Sequence, residues 1–563
     1  MSAAEPLSQR SSANRLFDLA WFLTFACASS AFCLETAARV GLTFDENNYL
    51  EKGLLRLRTG SADPLMRMGT MPLPVDVQFG AVRIFELVRD RPVDPRTEAG
   101  DVIVIARVMN LVFWWLLLFY SFLIGRSLAG PWAGRAAVAF VACEPSLLAH
   151  ASLATTDLSV AACLLAMAYH ARAGRGSSSW IQRVAVPGLW AGAALLAKAS
   201  ALVFGPILYA AIEIEHRLRD GVGPLPAGVL PKLAFLWRAV NPFRRDWILA
   251  GLIAVAVTVL YIGSDFQPEP SFVKWADAQP DGPEGNALRS VAHNLRIFPN
   301  AFNGLAFQLT HNVRGHGSYL LGVVDRRALW WYFPVLATIK ISTGVLIALA
   351  LSVLVAGKSG RFVWPLLGAA LLLLASPAFR VQLGIRMILP VVALSAIGSA
   401  ATLLAVPSRL RAALLVALCA LNAFDAVRVF PNTLCHVNTL WGGTEHGYKL
   451  VSDSNYDWGQ GIPALDAWQR RRGVDRIAVW YFGTDPRAGS DGRRVLPLHT
   501  LPAAVRFADL RALVPEGRLA VSTTLLYGPY IRGKDELLAD LRAREPADRT
   551  ATFLIYDLQS TEP

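Results

Sequence analysis

The chain has 563 residues, of which 54% are hydrophobic and only 17% charged, whereas a soluble protein carries roughly a quarter charged residues. Apolar runs such as LVFWWLLLFYSFLIG from Leu111 and WILAGLIAVAVTVLYIG from Trp247 exclude a soluble enzyme and predict a polytopic α-helical membrane protein. The net charge of +12 would suggest nucleic acid in a soluble chain. Here it is the excess expected of Lys and Arg in cytoplasmic loops, so no nucleic-acid partner is expected. Cys27, Cys33, Cys143, Cys163 and Cys419 fall in apolar runs and only Cys435 lies elsewhere, which leaves no disulfide framework.

In chain order, about eleven transmembrane helices are predicted, near residues 16–38, 102–125, 133–150, 155–171, 185–199, 201–214, 247–264, 333–356, 362–376, 383–405 and 410–427. The first follows Arg10 and Arg15, shows no small-residue cleavage pattern and meets Glu35 near its exit, so it reads as a retained anchor. Glu144, Pro145, His150 and Asp157 interrupt the 133–171 stretch, and 185–214 reads as one broken helix or two short ones. With the N-terminus inside, an odd count puts Arg126, Arg135, Arg172, Arg175, Arg183, Lys358, Arg361, Arg409 and Arg411 in cytoplasmic loops. The 215–246 loop adds Arg217, Arg219, Lys232, Arg238, Arg244 and Arg245, in keeping with the positive-inside rule.

Residues 1–427 then form a transmembrane domain with exoplasmic loops 40–101 and 265–332, and residues 428–563 form a small exoplasmic α/β domain. In that last part RIAVWYFG from Arg476, RLAVSTTLLYG from Arg518 and TATFLIYDL from Thr550 read as strands, and KDELLADLRARE from Lys534 as a helix.

Ionisable residues at the edge of a span are costly and point to function. Asp45, Glu46, Arg107, Asp157, Lys198, Arg380 and Arg386 all map to the outer face on this topology. Cations there suit a phosphate at the lip of the bilayer, and a carboxylate suits proton chemistry. Each residue also has a plain structural reading. Thr43 and Glu46 have capping-box spacing, Asp45 and Asp157 are candidate helix caps, and Arg107, Lys198 and Arg386 are candidates to snorkel to the interface. His150 with Asp157 is a weak metal pair, and no cofactor is assigned, a divalent ion being left open. His311 and His316 lack the helical i, i+4 spacing of a zinc site.

Four segments carry a family resemblance: FDENNYLEKG at 44–53, EPSLLAHASLATTD at 144–157, GAALLAKASAL at 192–202 and LGIRMILP at 383–390. They resemble the family 39 type of GT-C membrane glycosyltransferases, which includes protein O-mannosyltransferases and lipid A aminoarabinose transferases. RGHGSYLLG with WWYFPVLATIK (314–340) and NTLWGGTEHGYKLVSDSNYDWGQ (438–460) are similar to the bacterial branch described as dolichyl-phosphate-mannose-protein mannosyltransferase-like.

The resemblance covers nearly the whole chain. It implies a multi-pass protein of the bacterial inner membrane that transfers a sugar, hexosyl or mannosyl in type, from a polyprenyl phosphate to an acceptor hydroxyl of a protein, lipid or glycan. It gives Asp45 the essential acidic role, with Glu46 beside it, and brings in Asp157. It also brings in Lys198 and Arg386 as donor-phosphate contacts, and the span-edge charges add Arg107 and Arg380 as further cations. Asp453, Asn455, Asp457, Trp458 and Gln460, in the DSNYDWGQ block, become acceptor or exoplasmic-loop candidates. Two departures stand out. MPLPVD at 71–76 replaces a His-Pro-Pro-Leu block, and Gly461 replaces an Asp that often follows DWGQ in relatives. The alternatives are a transporter or flippase for lipid-linked sugars, disfavoured by a one-sided charge cluster without a visible repeat, and a non-catalytic assembly subunit.

Overall fold

The computed structural model describes residues 12–220, 228, 231, 241–297, 299–359, 363–405, 408–501 and 506–559. Arg10, Lys232, Arg238 and Arg361, among the basic residues used to orient the chain, lie outside them. All eleven predicted stretches fall on helix, though not as eleven continuous spans. Among the described residues five helices are long and apolar enough to cross a bilayer: Asn14–Arg39, Ala99–Ala129, Arg244–Ile262, Ile385–Leu404 and Arg409–Val429. Tyr332–Lys340 and Thr343–Gly357 together would make a sixth, bent by 115°, while Ile181–Ala197 and Trp364–Ala378 are shorter apolar helices. The chain is a multi-pass membrane protein in which several apolar stretches are broken, among them 133–150 at Cys143 and Glu144 and 333–356 at Ser342.

The interruptions pair with each other. Helix Pro131–Ala142 stops at Cys143, and Pro145 restarts the chain as Pro145–Ala151, since proline tolerates only a first helical turn. Buried Glu144 sits in this break and accepts hydrogen bonds from the backbone N–H and hydroxyl of Ser342, the residue at the bend of the 332–357 pair. Ser146 Oγ donates to the Lys340 carbonyl (2.7 Å). Buried Lys340 Nζ donates to the carbonyls of Leu434 (2.8 Å), His436 and Asn455 (2.7 Å). Two broken spans thus satisfy one another's freed polar groups inside protein, which is where a membrane tolerates irregular backbone.

At the opposite ends of the helices, basic residues assigned to the cytoplasmic loops meet carboxylates of neighbouring helices. Arg135 pairs with Asp18 (2.7 Å), Arg172 with Glu215 (2.9 Å), Arg175 with Glu213 (2.7 Å) and Arg183 with Asp246 (2.8 Å).

In the 265–332 segment a short hairpin pairs β1 (Ser318–Leu320) with β2 (Val323–Asp325). The C-terminal region holds a five-stranded sheet of β3 (Ile477–Trp480), β4 (Arg493–Val495), β5 (Arg518–Ser522), β6 (Asp548–Arg549) and β7 (Phe553–Asp557), in the order β4-β3-β5-β7-β6. β3 runs parallel to β4 and β5, while β7 runs antiparallel to β5 and β6. Strand alternation divides its two faces. Ile477, Val479 and Ile555 meet Leu465 and Trp468 of helix Ile462–Arg472. Ala478, Trp480 and Leu519 meet a second cluster that includes Leu526, Leu538 and Leu541. The predicted strand from Arg518 is strand only to Ser522. TTLLY continues as helix Thr523–Tyr527, and the two short edge strands β4 and β6 carried too little pattern to be foreseen.

One segment, 453–460, ties this sheet to the membrane helices. Gly41 N–H donates to the Gln460 carbonyl (2.9 Å), Phe44 N–H to the Trp458 carbonyl (2.8 Å), and Ile385 N–H to Asn455 Oδ1 (2.9 Å). The departure at Gly461 has a steric cause, because a Cβ there would lie 1.9 Å from Thr552 Oγ1.

Lys340→Met would orphan three buried carbonyls at this junction, each costing about 1–3 kcal/mol. A fall of several degrees in the melting temperature of the detergent-solubilised protein is expected. An unchanged melt would exclude the clamp.

Candidate active site

The first loop begins with a saturated ion pair. Arg107, eight residues into Ala99–Ala129, is fully buried and uses all five of its N–H donors. Nε and Nη2 bind Glu46 Oε1 (2.8 Å) and Oε2 (2.6 Å), Nη1 binds the carbonyls of Ala37 (2.7 Å) and Val40 (3.0 Å), and Nη2 also binds that of Gly41 (2.7 Å). Glu46 accepts further bonds from Ala154 N–H (2.8 Å), Thr43 N–H (2.9 Å) and Thr43 Oγ1 (3.0 Å), completing the capping box of helix Phe44–Thr59. Burial pushes the Glu46 carboxyl up, but the Arg107 charge and these hydrogen bonds outweigh it and hold the group below the usual carboxylate range. With every donor and lone pair engaged, neither residue has capacity for substrate. Arg107 and Glu46, expected in phosphate binding and catalysis, are here engaged with each other and with the backbone.

This pair sets the start of the helix that carries Asp45, and Asp45 faces a second, unsaturated set of charges. Arg386 Nη1 donates to Asp45 Oδ2 (2.6 Å) and lies 3.7 Å from Asp157 Oδ2. Lys198 Nζ binds Asp157 Oδ1 and lies 3.4 Å from Met387 Sδ. The Arg386 guanidinium stacks on Trp458 at 4.2 Å and donates through Nε to the Leu383 carbonyl (3.0 Å). Tyr49, one turn after Asp45, donates its hydroxyl to Asp45 Oδ2 (3.4 Å).

Capacity is left over in this set. Asp45 is 24% exposed, and its Oδ1 has no hydrogen bond among the described residues. Neither has Arg386 Nη2, nor the buried Asp157 Oδ2. Asp157 does not cap its helix, and Lys198 and Arg386 point to carboxylates within the protein rather than outward to headgroups.

The DSNYDWGQ block divides by role. Trp458 supports Arg386. Asn455 holds the turn Ile385–Ile388 from below through Ile385 N–H and donates to Tyr332 Oη (3.1 Å). Asp453, with a left-handed φ of 58°, accepts from Ser454 N–H (2.6 Å) and the Tyr530 hydroxyl. Burial pushes its carboxyl up, against the opposing Arg386 charge.

Asp457 is bound by Thr523 Oγ1 (3.3 Å), Thr524 N–H (3.2 Å) and Gly459 N–H (3.2 Å) inside the C-terminal fold, where burial pushes it up to about 6. Gln460 is spent on the Trp458 N–H (2.7 Å) and the Tyr456 carbonyl (2.8 Å). Asp457 and Gln460, expected as acceptor or exoplasmic-loop candidates, are buried and bonded within the fold.

Arg380 lies outside the cluster, donating to the Val313 carbonyl (3.4 Å) while its backbone N–H meets Asn312 Oδ1 (3.0 Å). His150 is completely buried near Asp157, and neither ring nitrogen has a hydrogen-bond partner. His311 and His316 touch through ring nitrogens at 3.1 Å. Among the described residues no three His, Cys, Asp or Glu side chains converge on a point, so neither His150 with Asp157 nor His311 with His316 has the three protein ligands of a catalytic zinc site. Lys340 and Tyr530 were not anticipated. The lone lysine in WWYFPVLATIK was a legible signal, whereas nothing local marked Tyr530.

Fold and site together define a multi-pass membrane protein with an ionic cluster at one end of its helices, closed over by an α/β region. No family model and no curated protein sequence matches the chain. Solved structures similar to it include an archaeal oligosaccharyltransferase, AglB from Archaeoglobus fulgidus, in complex with an inhibitory peptide and a dolichol-phosphate. That match has 12% identity and a TM-score of 0.47 over 97% of this chain and 75% of that one. ArnT from Cupriavidus metallidurans bound to undecaprenyl phosphate matches with 13% identity and a TM-score of 0.47, over 95% of this chain and 97% of that one.

Glu46→Gln would leave the buried Arg107 charge unpaired, at a cost of about 3–5 kcal/mol near neutrality. A depressed carboxylate contributes stability above its unfolded value, near 4.5, and loses it as the pH falls through the lower folded value. The melting temperatures of wild type and Glu46→Gln should therefore differ most at pH 7, begin to approach one another below about pH 4.5 and converge only below the lower folded value. A gap independent of pH would mean that the pair is not ionised as described.

Proposed function

We propose that the protein is an inverting glycosyltransferase that moves a sugar, of hexosyl or mannosyl type, from a polyprenyl phosphate to an acceptor hydroxyl on the exoplasmic face of the bacterial inner membrane. The supporting observation is the contrast between the two ionic sets. The Glu46–Arg107 pair spends every hydrogen-bonding atom on the fold. Arg386, Lys198 and Asp45 keep unspent donors and an unspent carboxylate oxygen at the membrane face.

In this reading the acceptor oxygen attacks the anomeric carbon and forms the new C–O bond. The bond from that carbon to the phosphate oxygen breaks, its electron pair staying on the phosphate, and the acceptor proton passes to Asp45 Oδ1. Arg386 and Lys198 offset the charge that grows on the leaving phosphate, and a cation in that position is typically worth about 10² to 10³ in rate. The phosphate is already a good leaving group, so one base suffices. Residues 1–427 form the catalytic membrane domain and 428–563 the domain that holds Trp458 and Asn455 beneath Arg386.

Asp45→Asn should abolish transfer with melting temperature unchanged, and near-normal turnover would remove Asp45 from the chemistry. Alanine at Lys198 or Arg386 should lower kcat more than it raises KM. The double variant should be less impaired than the summed free energies of the single ones, since both cations act on one group. Additive, small losses would place the phosphate elsewhere. For orientation, a membrane-impermeant maleimide added to intact cells should label a cysteine at exposed Asp491 and miss one at exposed Ser178. The reverse pattern would invert the topology and the site with it.

A further inference from the structure

We propose that the donor phosphate and the Asp45 carboxylate compete for the Arg386 guanidinium, so that donor binding itself releases Asp45 to act as base. This rests on the transferase reading and adds an order to it: the acceptor is activated only after the donor is in place.

The four side chains form a row of alternating charge, Asp45, Arg386, Asp157, Lys198, linked by the contacts described above. Asp453 adds a third carboxylate acting on Arg386, so both cations of the row already face carboxylates. A phosphate diester that takes Arg386 through more than its one uncommitted nitrogen therefore displaces a carboxylate from it. Asp45 is the one that can leave. Its side chain is 24% exposed, against 1% for Asp157, so water compensates a freed Asp45 carboxylate and does not reach Asp157.

Arg386 is built to pivot. Its Nε is tethered to the Leu383 carbonyl (3.0 Å), and its plane lies over the Trp458 ring at 4.2 Å. A cation–π contact acts between the charge and the ring centre and does not fix which way the N–H groups point, so the guanidinium can redirect Nη1 while keeping that support. A receiving group is already present. Asp157 Oδ2 is buried, has no hydrogen-bond partner and lies 3.7 Å from the same Nη1 that holds Asp45. Turning toward Asp157 and a phosphate gives this oxygen its missing donor.

Before donor binding, Asp45 Oδ2 is held by Arg386 at 2.6 Å and carries its charge against a cation. Afterwards the carboxylate has lost that partner, and both of its oxygens are open to the acceptor hydroxyl. The acceptor hydroxyl is thus left unactivated when no donor is present.

The test is the affinity of farnesyl phosphate for the purified full-length protein in detergent, by calorimetry, with farnesol and inorganic phosphate separating tail from headgroup. Asp45→Asn removes the competing charge and should bind farnesyl phosphate about tenfold more tightly than wild type, although it is inactive. Asp45→Ser should do the same and serves if the asparagine variant fails to fold. In an Arg386→Lys background the gain should vanish, since it comes through the guanidinium, whereas a general loss of negative field would leave it intact. Wild-type or weaker affinity in both Asp45 variants, or a gain that persists with Arg386→Lys, overturns the competition. Turnover is read separately. Asp45 variants that are inactive but show no gain leave the transferase reading standing without the release step, and variants that still turn over refute Asp45 as the base itself.

Discussion

The buried pair of Glu46 and Arg107 is the constraint on which the site depends. It gathers the carbonyls of Ala37, Val40 and Gly41, the N–H of Thr43 and the N–H of Ala154 onto two side chains with no exposure. The end of the first span, the start of the first loop helix and the loop before Asp157 are thereby fixed to one another. Asp45 precedes Glu46 by one residue, so its position relative to Asp157 and Arg386 follows from that knot. A buried ion pair gains little net stability over a well-packed apolar one, but it is costly to break on one side and strict about geometry. Such strictness suits a point where three chain segments must meet in register.

The bilayer accounts for much of the rest. Lipid cannot satisfy a free backbone group, so every interruption of a span has to be answered from inside the protein. Glu144 with Ser342, Ser146 with the Lys340 carbonyl, and Lys340 with three carbonyls of the 434–455 segment are such answers. They lie along the path that brings the 453–460 segment against the membrane helices. The same contacts that stabilise the broken helices therefore also seat Trp458 under Arg386 and Asn455 under the Ile385–Ile388 turn. The α/β region consequently forms part of the site, although it supplies no group assigned to proton transfer.

The two ionic sets show how a polar cluster can be read. Where donors and acceptors balance atom for atom, as around Arg107, the cluster is finished by folding. Where a carboxylate oxygen, a guanidinium nitrogen and a buried Asp157 oxygen remain unmatched, folding alone leaves it incomplete. The imbalance separates the two sets better than residue type does, since each consists of carboxylates and cations.

The sequence by itself determined the membrane class, because apolar runs and a low charge fraction leave no soluble alternative. It also singled out Asp45, Glu46, Arg107, Asp157, Lys198, Arg380 and Arg386 as one group, because each is a charge placed at a span end where the bilayer penalises it, but it could not divide that group. The main strands of the C-terminal sheet were legible from alternation, and β3 and β7 match it. Only the tertiary structure decided which charges are spent. Glu46 and Asp45 are adjacent in sequence and chemically alike, yet one points into a saturated knot and the other toward Arg386, a difference fixed by contacts 61 residues away at Arg107 and 341 residues away at Arg386. It likewise moved Asp457 and Gln460 into the fold and set Arg380 apart. Span continuity was beyond local pattern for the same reason: whether a helix survives Glu144 or bends at Ser342 depends on a partner supplied by a distant segment.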